Sequence, residues 1–575
     1  DDPRDVKPRF ANAKQKGVGG DAANDDLDSD DDEEEELEDG EIVMRWTVRK
    51  SSARGLDRLC RHFPQRALTL LMPYLTAALQ QTQDWRQMEA AILAVGAIAD
   101  GCFMVIADSL PELIPFLLQC ADSPQVLVKT ITAWTLSRYS KWVVMQPDHK
   151  TYFEPMLFAL MLMCTSTSKM VQEAGISALA TFEDVACFDL IAYLEPLCRC
   201  LMHCLTNFQQ RNRFVCYDAI ATLAIRLGDE LNSPAVVNML LPPLIEKWRS
   251  LPNDSDELYG LFECLTAVSL ALGDGLGEFA APMTRRAIEL AQAVVVQVHE
   301  FEQHRQECIK QRRPVELDEP QVGPLVASLD LISGVIEGFG ETSPALIDDS
   351  IGQLVLACVS TPLFDVRQSA FAVAGDLAVN APTLIAPHLE ELVPALLHNI
   401  RPFYIGLSNN VVWTLGELAL LLKEQFRDVV PPLLERLLPM MQDEQLHPHL
   451  LHNVCVCLGR VAIHHSDQLT PHINSFIKQW CAFVRCMTTD SEKHSAIEGM
   501  CALCETAPRE IMPHFIFIVD VIASYHGAPP KMKERLHSLL FAYKDAFGEH
   551  WNAFYARVPR DVTHVLEQEY FGGSA

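Results

Sequence analysis

The stretch ILAVGAIAD, residues 92–100, is an apolar segment rich in the small residues Ala and Gly. Comparable nine-residue segments begin at residues 132, 176, 218, 265, 329, 371, 411, 454 and 499. Successive segments start 40–47 residues apart, with one longer interval of 64 residues. Apolar residues in these regions recur at spacings of three and four, which predicts helices rather than strands. A period of this length indicates an array of two-helix repeats of the HEAT or armadillo type.

Each repeat combines two kinds of helix. The first kind carries early prolines and large apolar residues, as in LPELIPFLLQC (110–120) and VVPPLLERLLPMM (429–441). The second contains the small-residue segment, which allows neighbouring helices to approach closely. We therefore predict an all-α fold, a right-handed α-α superhelix (solenoid) of about 12 HEAT repeats, in which each repeat buries its apolar face against its neighbours.

The length of 575 residues also favours an array, because one hydrophobic core stops growing at roughly 250–300 residues. We assign residues 43–575 to the solenoid, with less regular repeats at about 47–80 and 510–570. The 64-residue interval contains a charged insertion at about 300–321, predicted to be an extended helix tip followed by a loop.

Acidic residues dominate the start of the chain. Residues 21–41 contain fourteen Asp or Glu and no Lys or Arg, so residues 1–42 are predicted to be a disordered acidic loop or tail. The net charge of −30 favours basic partners and disfavours direct binding to nucleic acid or anionic membranes. We expect no membrane span and no secretory signal; the polar start without Met suggests that the sequence begins within a longer protein.

Cysteine is frequent, with eighteen residues scattered along apolar helical stretches, as expected of reduced thiols that pack as small hydrophobes. Cys198, Cys200, Cys204 and His203 resemble a metal cluster, but Cys198 does not share a helix face with the others, so we predict no metal site. Nucleotide-binding, hydrolase and metalloprotease motifs are absent from the sequence. These observations predict a binding protein that needs no cofactor and has no catalytic residues.

Ten segments resemble, in the same order, the transportin family of nuclear import receptors. They are WTVRKSSARGLD (46–57), ILAVGAIADGC (92–102), LPELIPFLLQC (110–120), ITAWTLSRYSKWVVMQP (131–147), VQEAGISALATFED (171–184), YDAIATLA (217–224), LPPLIEKW (241–248), LDLISGVIEG (329–338), VRQSAFAVAGDL (366–377) and SNNVVWTLGE (408–417). The acidic stretch before them resembles the acidic loop of that family. The resemblance covers nearly the whole chain and corresponds to the family's C-terminal, cargo-binding part.

The resemblance implies a receptor that shuttles between cytoplasm and nucleus. Its expected partners are proline-tyrosine nuclear localisation signals of cargo proteins, among them RNA-binding proteins, and the FG repeats of nucleoporins. Ran-GTP would act mainly through an N-terminal half that is absent from this sequence, with the acidic loop displacing the signal. A fragment without that half is expected to bind cargo without releasing it on Ran-GTP.

The resemblance also implies three groups of peptide-binding residues. A Pro-Tyr subsite comprises Leu93, Ala97, Ile131, Trp134, Arg138 and Asp57. A central group, expected to meet basic residues of the signal, comprises Ser177, Thr181, Asp184, Asp218 and Thr222. A second subsite comprises Asp330, Glu337, Ile405, Asn409 and Trp413. From the residues alone, a core side chain between repeats is the favoured interpretation of Trp134, and the resemblance reverses that preference.

Two positions depart from the family pattern, since Ile225 replaces a carboxylate and Arg54 replaces a small residue. The preference of this chain for strongly basic signals can therefore differ from that of the family. Two alternative functions remain: a structural HEAT scaffold, such as a phosphatase or vesicle-coat subunit, and another importin-β-type receptor that grips a folded cargo.

Overall fold

The computed structural model describes residues 48–80, 84–315, 317–443 and 445–572, and helices are the only regular elements in these ranges. The predicted all-α class is therefore confirmed. The acidic segment 1–42 lies outside the described residues. The chain divides at Thr284 into two compact units, an N-terminal unit and a C-terminal unit.

The N-terminal unit consists of helix pairs joined by short turns. Its helices are α1 Val48–His62, α2 Pro64–Gln80, α3 Trp85–Ala97, α4 Ala99–Ile106, α5 Leu110–Cys120, α6 Val126–Arg138, α7 Ser140–Val144, α8 Phe153–Cys164, α9 Lys169–Ala186, α10 Leu194–Asn207, α11 Gln210–Leu227, α12 Pro234–Ser250 and α13 Asp256–Leu272.

The C-terminal unit continues the same pattern. Its helices are α14 Ala280–Gln311 (which starts just before the boundary), α15 Gly323–Phe339, α16 Ile351–Val359, α17 Phe364–Asn380, α18 Pro382–Ile385, α19 Leu389–His398, α20 Ile405–Leu422, α21 Val430–Met441, α22 Pro448–Leu469, α23 Ile473–Cys486, α24 Ser491–Thr506, α25 Pro508–Ile511, α26 Phe515–Ala523, α27 Pro530–Phe547, α28 Trp551–Tyr555 and α29 Arg560–Leu566.

The ten small-residue segments all begin on one class of helix, which we call the B helices: α3, α6, α9, α11, α13, α15, α17, α20, α22 and α24. Within each unit, every B helix packs against the next B helix. The A helices, such as α5, α8, α10 and α12, pack against the B helices of their own repeats. At the predicted insertion, α14 extends for 32 residues to Gln311, and the described residues between α14 and α15 form no helix.

Close contact between B helices depends on glycine. Gly96 on α3 faces the ring of Trp134 on α6, and a Cβ atom at this glycine would lie 2.2 Å from the ring carbon Cζ3. The hydroxyl of Thr135 donates to the carbonyl of Ile92 on the same neighbour, at 3.0 Å. The small residue and the hydroxyl therefore allow α3 and α6 to pack at short range without leaving the polar group unpaired.

The same arrangement recurs in the C-terminal unit. Gly375 on α17 faces Trp413 on α20, where a Cβ atom would lie 1.9 Å from Cζ3 of the indole. Thr414 donates to the carbonyl of Phe371 at 2.9 Å. Because the sequence Trp-Thr occurs at corresponding positions of both units, the two large rings perform the same packing task in each.

Gly375→Ala is expected to destabilise the C-terminal unit by about 1–3 kcal/mol, because the added methyl group overlaps the Trp413 ring. Gly55→Ala is the matched control, since a Cβ there meets nothing within 4 Å and alanine favours the surrounding helix α1. Urea unfolding followed by circular dichroism would measure both midpoints. A midpoint for Gly375→Ala at or above that of the unsubstituted chain would contradict this account of the packing.

Four stretches are long and apolar enough to cross a membrane on length and composition alone, so the expectation of none was wrong by that criterion. They are Ala99–Cys120, Asp256–Gln311, Gly323–Ala345 and Ile405–Met441. Each contains a short 3-10 segment as well as α-helix, and in the last three most of the apolar window is buried within the protein. Packing between repeats accounts for the apolar character of those three stretches.

Candidate functional site

The four apolar residues predicted for the Pro-Tyr subsite lie on two adjacent B helices. Leu93 and Ala97 are on α3, Ile131 and Trp134 are on α6, and these helices are in direct contact. All four side chains are buried, with between 4% and 8% of their surface exposed. The structure therefore brings the predicted residues together, but as packed neighbours rather than as an open pocket.

Trp134 and Arg138 nevertheless retain unused hydrogen-bond donors. Among the described residues, no acceptor contacts Nε1 of Trp134 or Nε of Arg138, although both atoms are buried. The Arg138 guanidinium lies 5.9 Å from the centre of the Trp134 ring, so the two groups are neighbours on α6. A buried donor without an acceptor costs about 1–3 kcal/mol, which a ligand carrying carbonyl oxygens would recover.

Charged residues from three helices form a short ion-pair chain beside Trp134. Arg61 on α1 contacts Asp57 at 3.0 Å and Asp100 at 3.1 Å, and Arg138 contacts the same oxygen of Asp100 at 2.7 Å. Sequence reasoning selected Asp57 and Arg138 but missed Asp100 and Arg61. Asp100 is the last residue of the small-residue segment 92–100. Its position in that segment was the sequence feature that could have identified it.

The central group lies on the next two B helices, α9 and α11. Asp184 is exposed and forms an ion pair with Arg226, which sequence reasoning did not select. The hydroxyls of two threonines bond their own helices: Thr181 donates to the carbonyl of Ser177 at 3.1 Å, and Thr222 to that of Asp218 at 2.8 Å. Asp218 is exposed, so the group presents carboxylates to solvent.

The two departures from the family pattern are visible in the same unit. Ile225 is half exposed and lies on α11 next to Arg226. Arg54 is half-buried, one turn before Asp57 on α1. One departure places an apolar side chain, and the other a cation, near the predicted carboxylates.

The residues of the predicted second subsite, in the C-terminal unit, differ in exposure. Asp330 and Asn409 are buried, and the amide oxygen of Asn409 accepts a hydrogen bond from Asn453 at 2.6 Å. Trp413 is 9% exposed and packs on α17, as described above. Glu337 and Ile405 are exposed. Three of the five predicted residues therefore contribute to packing between B helices.

An exposed aromatic group that sequence reasoning missed precedes Ile405. Phe403 is 87% exposed, and its ring meets the edge of Tyr404. Tyr404 stacks on Phe364 with ring centres 4.0 Å apart. The guanidinium of Arg367 lies 4.5 Å from the centre of the Phe364 ring. The start of α20 thus offers a larger apolar surface than Ile405 and Trp413 alone.

A HEAT-like repeat family profile matches residues 85–139, which span α3 to α6. A solved structure of importin beta is 15% identical and shares the fold with a TM-score of 0.55, over 84% of this chain and 64% of that one. The predicted repeat architecture is therefore confirmed.

Sequence relatives agree with this fold. Human Transportin-1 is 32% identical over 572 residues, which are 99% of this chain and 62% of that protein. Importin subunit beta-2 of Schizosaccharomyces pombe is 34% identical over 87% of this chain and 55% of its own length. The chain thus spans roughly three fifths of the length of these relatives. Over nearly its whole length, the chain is a homologue of Transportin-1 and of importin subunit beta-2.

Proposed function

We propose that this chain is the signal-binding part of a nuclear import receptor and binds extended basic peptides that end in Pro-Tyr. Its homology to transportins supports the receptor class. The observation that carries the peptide proposal is the pair of buried donors without acceptors, Nε1 of Trp134 and Nε of Arg138. An extended peptide supplies backbone carbonyls, the acceptors that these donors lack.

Entry of a Pro-Tyr pair requires a local rearrangement, because Leu93, Ala97, Ile131 and Trp134 are packed together. A repeat array permits such movement, since each repeat contacts only its neighbours. The apolar surface that opens between α3 and α6 would then receive the proline ring and the tyrosine. The cost of opening favours ligands that fill the space well, which is a source of specificity.

Basic residues of the signal would exchange partners with arginines of the protein. Asp57, Asp100 and Asp184 are each paired with an internal arginine in the absence of a ligand. Exposed pairs contribute only about 0–1 kcal/mol, so a peptide arginine replaces the internal partner at little cost. The net charge of −30 also accelerates the approach of a basic peptide.

A second contact in the C-terminal unit would hold the N-terminal portion of the signal. Phe403, Tyr404 and Ile405 are the exposed apolar side chains there, near the predicted residues Asn409 and Trp413. Two weak contacts on one peptide bind tightly together, because the first raises the effective concentration of the second.

The proposal also includes release of the bound signal and transport through the nuclear pore. The fourteen acidic residues of segment 21–41 are suited to compete with the receptor's own carboxylates for a basic signal. We propose that Ran-GTP binding elsewhere in the full receptor drives this competition. FG repeats of nucleoporins are the proposed partners in the pore, and shuttling between cytoplasm and nucleus is the proposed localisation.

A matched pair of peptides tests the proposal. A fluorescent arginine-rich peptide ending in Pro-Tyr is expected to bind at least about 10-fold more tightly than the same peptide ending in Ala-Ala, because only the first fills the α3–α6 surface. Fluorescence anisotropy at two salt concentrations measures both affinities. Equal affinities that fall together in salt would show only acidic attraction and would favour a scaffold or a receptor of another cargo class.

A further inference from the structure

Three cysteine thiols from two A helices meet inside the N-terminal unit. Cys164 is the last residue of α8, and Cys200 and Cys204 lie one turn apart on α10, which contacts α8. Their three Sγ atoms lie within 4.8 Å of one another, and all three residues are buried. The cluster considered from sequence combined Cys200 and Cys204 with Cys198 and His203. In the structure, the third thiol beside Cys200 and Cys204 is that of Cys164.

The number of ligands argues against a structural zinc site. Such sites bind zinc through four protein ligands, almost always in a tetrahedron. Among the described residues, the group holds three cysteines and no fourth His, Cys, Asp or Glu ligand. A species that bonds to three sulfurs and no more fits this arrangement better than zinc does.

The charge of the bound atom also limits which elements fit the three thiols. Three thiolates around a monovalent or divalent cation would leave a net negative charge in a buried site, and an uncompensated buried charge is costly. A trivalent centre with three thiolates is neutral. The same burial that disfavours copper(I) or zinc(II) therefore favours a trivalent, thiol-reactive centre.

We propose that Cys164, Cys200 and Cys204 form a binding site for trivalent arsenic. Arsenous acid, As(OH)3, would react with the three thiols to give As(S-Cys)3 and three molecules of water. Each As–O bond is replaced by an As–S bond, each thiol proton leaves in water, and arsenic stays trivalent, so no oxidant or reductant is needed. Three sulfurs held at about 2.3 Å from one centre lie at most about 4 Å apart, so Sγ atoms that already lie within 4.8 Å of one another need only small movements to reach it.

The product would cross-link neighbouring repeats. Cys164 belongs to one A helix and the other two thiols to the next, so a shared arsenic atom joins α8 to α10. Because the native fold assembles these thiols and an unfolded chain does not, binding stabilises the native state. The three thiols lie on A helices, whereas the central group of the proposed peptide site lies on the B helices α9 and α11.

Intact-protein mass spectrometry after incubation with sodium arsenite and excess glutathione tests the site. We expect one arsenic atom per chain, with a mass gain of one arsenic less three hydrogens, and a raised thermal unfolding midpoint. Cys164→Ala, Cys200→Ala and Cys204→Ala are each expected to lose this three-sulfur adduct and the shift in midpoint. Cys198→Ala and Cys264→Ala, which remove other buried thiols, are expected to keep both.

Two results would overturn the proposal. One is a three-sulfur adduct, with the mass of one arsenic less three hydrogens, that persists in the triad variants, which would place arsenic on other thiols. The other is the absence of an adduct in the unsubstituted chain under these conditions. The thermal midpoints of the variants without arsenite show whether each is folded, so loss of the adduct by unfolding is distinguished from loss of a ligand.

Discussion

Glu257→Ala is expected to destabilise the N-terminal unit by about 3–5 kcal/mol, the largest single effect that the structure predicts. Glu257 on α13 is buried and binds Arg213 on α11 through two hydrogen bonds of 2.6 Å. Lys247 on α12 lies 3.1 Å from the same carboxylate, and the hydroxyl of Tyr217 donates to it at 3.0 Å. Removal of the carboxylate leaves a mostly buried guanidinium and a buried phenol without their common acceptor.

The size of this effect should depend on pH. Burial by itself raises the pKa of Glu257, but hydrogen bonds from Arg213 and Lys247 outweigh it and hold the pKa below its usual value. A carboxyl whose pKa is lower in the folded state stabilises the fold fully above its unfolded pKa, about 4.3. The stabilisation is lost as the pH falls through the lower, folded value, so the difference between Glu257→Ala and the unsubstituted chain should shrink in acid.

Denaturant unfolding at neutral and acidic pH measures this difference. Glu195→Ala is the control, because Glu195 forms an ion pair with Arg199 in which both side chains are largely exposed. That control is expected to change stability by no more than about 0.5 kcal/mol. If the two variants were equally stable at neutral pH, the four-residue network around Glu257 would not carry the stability assigned to it.

Trp134→Ala is expected to weaken binding of the Pro-Tyr peptide by about 100-fold, or about 2.7 kcal/mol. The substitution removes the indole surface that the peptide would contact and the unused Nε1 donor. Trp134→Phe keeps an aromatic ring but lacks that donor, so an intermediate loss of about 10-fold is expected. Anisotropy titrations with the Pro-Tyr and Ala-Ala peptides measure both variants.

Trp248→Ala separates loss of a contact from loss of stability. Trp248 lies on the A helix α12 and is buried to nearly the same extent as Trp134. The substitution Trp248→Ala is expected to lower the unfolding midpoint. The variant should still bind the Pro-Tyr peptide more tightly than the Ala-Ala peptide. Equal losses of peptide affinity in Trp134→Ala and Trp248→Ala would show that Trp134 acts only through packing.

Local patterns sufficed for the repeat architecture. The small-residue segments, such as 92–100 and 371–379, all begin on B helices because a helix face is determined by residues three and four apart. Proline in the first turn of A helices, as at Pro111 in α5, was predictable because the first turn tolerates it, whereas Pro115 and Pro439 lie inside α5 and α21.

The polar partners of the predicted site residues were not predictable in this way. Asp184 pairs with Arg226, and Asn409 with Asn453, across 42 and 44 residues. Each pair joins two neighbouring repeats, so its formation depends on how one B helix is rotated and displaced against the next. The helical period indicates which residues of one helix share a face. It does not indicate which residues of the neighbouring helix that face contacts.

The sequence by itself determined the helical repeat, its period and the acidic character, because these follow from residue spacing and composition along the chain. Only the tertiary structure decided that Trp134 and Trp413 are enclosed, since their burial depends on how closely Gly96 and Gly375 let neighbouring helices approach. It also decided that Cys164 joins a pair of thiols on another helix, because packing between repeats, rather than position along the chain, sets which side chains meet.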